Sequence, residues 1–208
     1  MFAPRTGRYV AVGGAALLLV GLLWAARVLP RTYALAALLS VGALIWVFFA
    51  WFLRDPERTP GPDIVSAADG RVLFVDELEN VLRISVFMNV TDVHVNRLPL
   101  TARFDRIDDA GTGFLPAYLA SSSHNVRRHY SLSSSIGTVE VIQMTGAIAR
   151  RLVSFVRVGE SRAKGDRFGM IILGSRVDVL LPADRVEATV NPGDRVTAGV
   201  TRIAREKK

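Results

Sequence analysis

Hydrophobic positions are spread unevenly along this chain. Tyr9 to Ala26 (YVAVGGAALLLVGLLWAA) and Tyr33 to Leu53 (YALAALLSVGALIWVFFAWFL) run without a single charged residue. A bilayer-spanning helix needs roughly 20 apolar residues, and each run supplies about that number. The link between them, Arg27 to Thr32, is short and contains Pro30. The pattern therefore predicts a membrane anchor over residues 1–53, two transmembrane helices in a hairpin with both ends on one side. Arg5 and Arg8 precede the first run, Arg54 and Arg58 follow the second, and Arg27 and Arg31 occupy the turn. This slight bias favours the inner membrane of the cell, with the rest of the chain on the cytoplasmic side. A cleaved signal peptide is the rival for the first run, because Ala25-Ala26 can sit near a cleavage site. The second run would then remain as the anchor.

After Leu53 the period changes. Arg54 to Asp63 (RDPERTPGPD) is charged and Pro-rich, and reads as an ordered linker leaving the bilayer. Val81 to Met88 (VLRISVFM), Gly137 to Gly146 (GTVEVIQMTG) and Arg176 to Pro182 (RVDVLLP) show strand-like alternation or β-branched enrichment, bounded by Gly, Asn, Asp and Pro. One helical segment is expected around Ala147 to Phe155. Val156 to Ile171 (VRVGESRAKGDRFGMI) can be laid over Val190 to Ala204 (VNPGDRVTAGVTRIA), with Val, Gly-acid and Gly recurring in step. That spacing resembles the hairpin of biotinyl and lipoyl-like barrel-sandwich folds, in which each Gly serves a tight turn. The expected fold is thus β-rich, a barrel-sandwich-like catalytic domain over residues 54–208 behind an N-terminal transmembrane helical hairpin.

Composition narrows the chemistry. The chain has no Cys, which removes a disulfide framework, thiolate nucleophiles and thiolate metal sites. Its 208 residues carry a net charge of +7. Arg127-Arg128 and Arg150-Arg151 are pairs without aromatic interleaving or a nucleic-acid module, so the charge reads as attraction to an anionic leaflet and not as a nucleic-acid footprint. His124 and His129, in SSSHNVRRHY, have no neighbouring carboxylate in sequence, and the arginines between them oppose a metal site.

Phe168 to Pro182 (FGMIILGSRVDVLLP) places Gly-Ser-Arg at the centre of an apolar run. The simple reading is a strand with a bulge. The reactive one is that a strained Gly174-Ser175 bond, with a base nearby, lets the Ser175 hydroxyl attack the Gly174 carbonyl and move the acyl group from nitrogen to oxygen. Elimination from that ester cuts the chain, and loss of ammonia then leaves a pyruvoyl group, a ketone that condenses with an amine substrate.

Several stretches together resemble phosphatidylserine decarboxylase of the short prokaryotic type. They are FLRDPERTP (Phe52 to Pro60), SAADGRV (Ser66 to Val72), DVHVNRLP (Asp92 to Pro99), VEVIQMTGAIARRLV (Val139 to Val153) and GDRFGMIILGSRVDVLLP (Gly165 to Pro182). The resemblance implies a membrane proenzyme that cuts itself between Gly174 and Ser175. Residues 1–174 become the large chain and residues 175–208 the small chain of a heterodimer, open to further oligomerisation. Ser175 becomes the covalent pyruvoyl cofactor, and the substrate is the phospholipid phosphatidylserine, converted to phosphatidylethanolamine and carbon dioxide.

By the same resemblance Asp69 assists self-cleavage, against the plainer reading of an Asp-Gly turn. Here Ala67 stands where the family usually has Pro. His94 serves as base for maturation, as proton donor in decarboxylation, or as both. Its plainer alternative is a strand histidine satisfied by a backbone carbonyl. Longer members place a second histidine three positions on, where this chain has Arg97, and Asp92 either joins the site or only shapes the turn. Arg127 or Arg128 is a candidate contact for the lipid phosphate. The competing reading is a non-enzymatic, membrane-tethered barrel-sandwich binding module whose Gly174-Ser175 is only a bulge.

Overall fold

The computed structural model describes the whole chain apart from residues 5, 28–31, 119–123, 148–150, 173–174 and 208. Its residues cluster into two compact units, Met1–Pro56 and Glu57–Lys208. In the first, the apolar runs form α1 (Gly7–Ala25) and α2 (Tyr33–Phe52), both long and apolar enough to cross a membrane, with mean hydropathies of 1.7 and 2.3. Thr32 caps α2 by accepting the Leu35 N–H. Gly13 and Gly14 let the Trp46 indole lie against α1, where a Cβ on Gly14 would sit 2.8 Å from the ring. The indole N–H then donates to the Val10 carbonyl at 2.8 Å, the close small-residue packing typical of membrane helices. Ala3 N–H donates to Leu53 O and Asp55 N–H to Met1 O, so the start of the chain and the end of α2 are joined on one side of the hairpin.

The second unit contains β1 (Ile64–Val65), β2 (Gly70–Leu78), β3 (Val81–Met88), β4 (Val95–Arg97), β5 (Ala102–Ala110), β6 (Arg127–Ser134), β7 (Gly137–Thr145), β8 (Arg151–Ser154), β9 (Ser161–Arg162), β10 (Arg167–Ile172), β11 (Ser175–Pro182), β12 (Val186–Ala188), β13 (Arg195–Val196) and β14 (Arg202–Glu206). An eight-stranded sheet runs β13-β2-β3-β11-β7-β6-β5-β9, and two three-stranded sheets run β1-β14-β12 and β4-β10-β8. The fold is β-rich, as the alternation predicts. Leu82, Ile84, Val86 and Met88 of β3, like Val177, Val179 and Leu181 of β11, are buried at every second position. Phe104, Tyr130 and Phe168 form an edge-to-face and tilted aromatic cluster in the core.

The helix expected over Ala147 to Phe155 does not form where the chain is described. Arg151–Ser154 is a strand, paired through Leu152 and Val153 with Ile171 and Met170. Leu-Val sits well on a pleated surface, and a ready partner strand outweighs local helix propensity.

The sequence echo is a structural repeat. Gly159 and Gly193 have φ of 88° and 96°, and each precedes a two-residue strand, β9 and β13. Gly159 N–H donates to Phe104 O, and Gly193 N–H to Val72 O. The second glycine of each copy also has positive φ; Gly165 donates to Leu98 O and Gly199 to Ser66 O. The linker is bolted onto this framework: Gly61 N–H donates to Gly199 O, and Pro60 packs against Gly165.

Candidate active site

Ser175 is the first residue of β11, and its backbone is paired with Met88 of β3 on one side and Thr145 of β7 on the other. Both neighbours are buried. Gly174 lies outside the described residues. The apolar run is therefore two largely buried strands, β10 ending at Ile172 and β11 beginning at Ser175. Arg176 and Asp178 follow on one face of β11 and form a two-pronged ion pair, both contacts 2.6 Å, with side chains only 3% and 4% exposed. The guanidinium also lies over the Phe74 ring at 5.4 Å. Such fork-to-fork geometry compensates the desolvation of two charges beside the core.

His94 is wholly buried just before β4, and its carbonyl accepts the Ile171 N–H at 3.2 Å. It is thus held beside β10, four residues upstream of Ser175 in the chain. Its Nδ1 lies 2.9 Å from the Asp92 carbonyl. A carbonyl only accepts, so Nδ1 carries a proton, and Nε2 is the ring nitrogen turned away from this turn. Asp92 shapes the turn with its side chain, accepting the Asn89 N–H at 2.8 Å and Arg195 at 3.1 Å.

Asp69 immediately precedes β2, whose Gly70 is so close to β3 that a Cβ would fall 1.9 Å from Phe87 O and 3.3 Å from Met88 Cα. Asp69 and Ser175 therefore stand at the same end of the strand series β2, β3, β11, two strand spacings apart, about 10 Å. The Asp69 carboxylate accepts both prongs of Arg58 at 2.6 and 2.8 Å and the Ala198 N–H at 2.8 Å. In the other copy of the repeat Thr101 accepts the Lys164 N–H in the equivalent place. Arg97 is buried, donates to Gly165 O at 3.1 Å and packs against Gly199, so it joins the matching glycines of the two copies.

A buried polar chain approaches the same point. Tyr130 O–H donates to Gln143 Oε1 at 2.9 Å, Gln143 Nε2 to Asn96 Oδ1 at 2.6 Å, and Asn96 Nδ2 to the Met88 sulfur at 3.6 Å. Burial pushes the Tyr130 phenol above its ordinary value of 10.0. Beside the end of β10, a cavity of about 340 Å³ is lined by Asp109, Val126, Arg128, Arg151 and Leu152. A hydrogen bond from the Arg128 guanidinium holds the Asp109 carboxyl below its ordinary 3.8, outweighing the opposing effect of burial.

A family model described as phosphatidylserine decarboxylase matches residues 45–204. The chain belongs to the phosphatidylserine decarboxylase family. A relative from Thermobifida fusca, named phosphatidylserine decarboxylase proenzyme, is 43% identical over 159 residues, covering 76% of this chain and 73% of its own. One of the same name from Streptomyces griseus is 37% identical over 186 residues, with 88% and 80% covered. A relative from Methanococcoides burtonii, bearing the name of an archaetidylserine decarboxylase proenzyme, is 40% identical over 199 residues, with 88% and 93% covered.

Within this decarboxylase family framework, sequence reasoning passed over Arg58, Asn96, Gln143 and the Arg176–Asp178 pair. A glutamine inside VEVIQMTG, at a position the alternation buries, was the available signal for Gln143. His129 does have a carboxylate partner, Glu140 at 2.9 Å, supplied across the sheet from β7 and so invisible in the local sequence.

Proposed function

We propose that this chain is a proenzyme that cuts itself before Ser175 and then decarboxylates the serine headgroup of a phospholipid in the bilayer that α1 and α2 enter, the domain lying on the cytoplasmic side. The observation that carries this reading is the position of Ser175 at the head of a strand already paired on both sides, with His94 fixed against β10 just upstream. A cut at that point releases a new terminus that the sheet continues to hold.

In maturation His94 Nε2 takes the Ser175 hydroxyl proton as Oγ attacks the Gly174 carbonyl. The C–N bond breaks, the proton passes to the Ser175 nitrogen, and an ester remains. Loss of the Ser175 Cα proton with cleavage of Cβ–Oγ frees Gly174 as a carboxylate. Water then replaces the nitrogen, which leaves as ammonia. Asp69 orders this end of the sheet through Arg58 and the Ala198 N–H, a positioning role.

The surroundings fit a pyruvoyl group made from Ser175: it is small and uncharged, and the strand neighbours Met88 and Thr145 are buried and uncharged. When present, that group supplies an electron sink for the pair left on the substrate carbon as carbon dioxide departs. His94 Nε2, protonated at that stage, delivers the proton that replaces the carboxylate. Arg128 and Arg151, lining the cavity beside β10, offer donors for the headgroup phosphate. Phosphatidylserine and archaetidylserine share the phosphoserine headgroup on which these contacts act.

Intact mass of the purified membrane protein, with and without borohydride in the presence of phosphatidylserine, tests the reading. Two chains divided at Gly174/Ser175, the small one blocked at its N-terminus and gaining substrate mass on reduction, are expected, and Ser175→Ala stays whole. A single full-length mass from the folded wild-type protein would replace this reading with a tethered binding module.

A further inference from the structure

Among the described residues of the second unit, exposed large apolar side chains are mostly isolated, but three fall within five residues of the β5–β6 connection. Phe114, Leu115 and Tyr118 are 41%, 44% and 53% exposed. This stretch is firmly held. Leu115 N–H donates to Asn125 Oδ1 at 2.8 Å, and the fully buried Asn125 returns a hydrogen bond to Leu115 O and gives another to Thr145 O, both 2.7 Å. Thr145 is a strand neighbour of Ser175. Three residues on, the Tyr118 ring meets Phe87 edge-on with centroids 5.9 Å apart, and Phe87 is the register partner of Arg176. The segment is thus tied first to the strand on one side of β11 and then to the strand on its other side, at the end where β11 begins. Val90, 38% exposed, follows Met88 of β3 at that same end.

A soluble surface gains nothing from holding two aromatics and a leucine out in water, and such clusters mark contact sites. Resting on the phospholipid reading above, we propose that Phe114, Leu115 and Tyr118 enter the boundary between headgroups and acyl chains of the bilayer and seat the head of β11 on the leaflet. The phospholipid then keeps its tails in the membrane while its headgroup reaches Ser175. Three features select a bilayer as the occupant. The second unit starts at Glu57, only a few residues after an apolar helix that ends at Phe52. The apolar residues include a tyrosine, whose polar tip suits the interface. Arg71, partnered with Phe87, and Arg127, partnered with Met144, flank them with charge suited to an anionic leaflet.

Because the chain has no Cys, a single introduced thiol is a unique reporter. The full chain carrying Leu115→Cys, labelled with an environment-sensitive nitrobenzoxadiazole dye, is reconstituted in phosphatidylglycerol–phosphatidylcholine vesicles with and without lipid bearing a nitroxide high on the acyl chain. Val158→Cys is the control, because Val158 is 59% exposed but lies by the Gly159–Phe104 contact at the other end of β5. Blue-shifted emission at position 115, quenched at least ~2-fold by the nitroxide lipid while position 158 is unaffected, is expected for an interfacial site. Water-like emission at 115, or a blue shift that nitroxide lipid does not quench, overturns the proposal, the latter pointing to a protein partner. Phe114→Ser with Leu115→Ser should also lower the ratio of rate on vesicle phosphatidylserine to rate on a soluble short-chain phosphatidylserine by about tenfold. An unchanged ratio overturns it as well. Quenching at 115 in a protein that turns over neither substrate would leave the membrane contact standing and remove the decarboxylase reading instead.

Discussion

Gln143 donates to Asn96 at 2.6 Å where neither side chain reaches solvent, and this amide contact ties β7 to β4 beside the strands that flank Ser175. Both amides are satisfied because Tyr130 closes one end of the chain and Met88 the other. Gln143→Leu keeps the volume but takes an acceptor from the Tyr130 hydroxyl and the donor from the Asn96 oxygen, and a buried polar group left unmatched costs about 1–3 kcal/mol. Urea unfolding in a Ser175→Ala background should show a loss of about 3 kcal/mol, and Gln143→Glu should recover part of it.

Gly169 meets the same amide from β10. A Cβ there would stand 2.7 Å from Gln143 Nε2 and 2.9 Å from Val153 O. Gly169→Ala should cost about 1–3 kcal/mol through overpacking. Gly137→Ala, at φ 105° but with open space around it, should cost about 1 kcal/mol from backbone strain alone. Thermal melts of the two variants would separate crowding from strain.

Arg58 and Asp69 form a largely buried pair with side chains 9% and 14% exposed. Arg58→Met leaves the carboxylate with only the Ala198 N–H, and about 3 kcal/mol of destabilisation is expected. If Asp69 works by ordering this end of the sheet, Arg58→Met should slow the appearance of the cleaved small chain nearly as much as Asp69→Asn does. Normal processing in Arg58→Met beside failed processing in Asp69→Asn would instead give the carboxylate a direct chemical role.

Tyr130 yields a pH signature. Burial raises its phenol above 10.0, so the folded state holds this proton more tightly than the unfolded chain. Its stabilising contribution is complete below about pH 10 and is lost as pH rises from there through the folded value. Tyr130→Phe should therefore be less stable than the parent at pH 8, having lost the bond to Gln143, and should lose less of its remaining stability between pH 9.5 and 11 (values bracketing about pH 10).

Much of the architecture was legible in the chain. Val81 to Met88 is a strand along its whole length because alternation and β-branching agree there, and the two apolar runs are helices because nothing charged interrupts them. The duplicated Gly-acid turns could be read because a positive φ leaves glycine as its residue. Arg151–Ser154 was misread because its strand character depends on β10. The pairings of Arg58, Gln143 and Glu140 were not legible for a related reason: their partners Asp69, Asn96 and His129 come from other segments, and a periodic pattern carries no information about which strand lies alongside.

The placement of β11 also bears on reversibility. Every residue from Ser175 to Pro182 is paired with β3, and Ser175 to Leu180 with β7, while β12 and β14 lie in a separate sheet with β1. A cut before Ser175 therefore leaves the shorter piece clasped in the middle of the larger one, with no covalent tether. Before the cut, refolding is a first-order search by one chain, but afterwards the two pieces must meet by diffusion. A protein cut at that point should accordingly persist through a slow unfolding rate, with recovery after denaturation that depends on concentration.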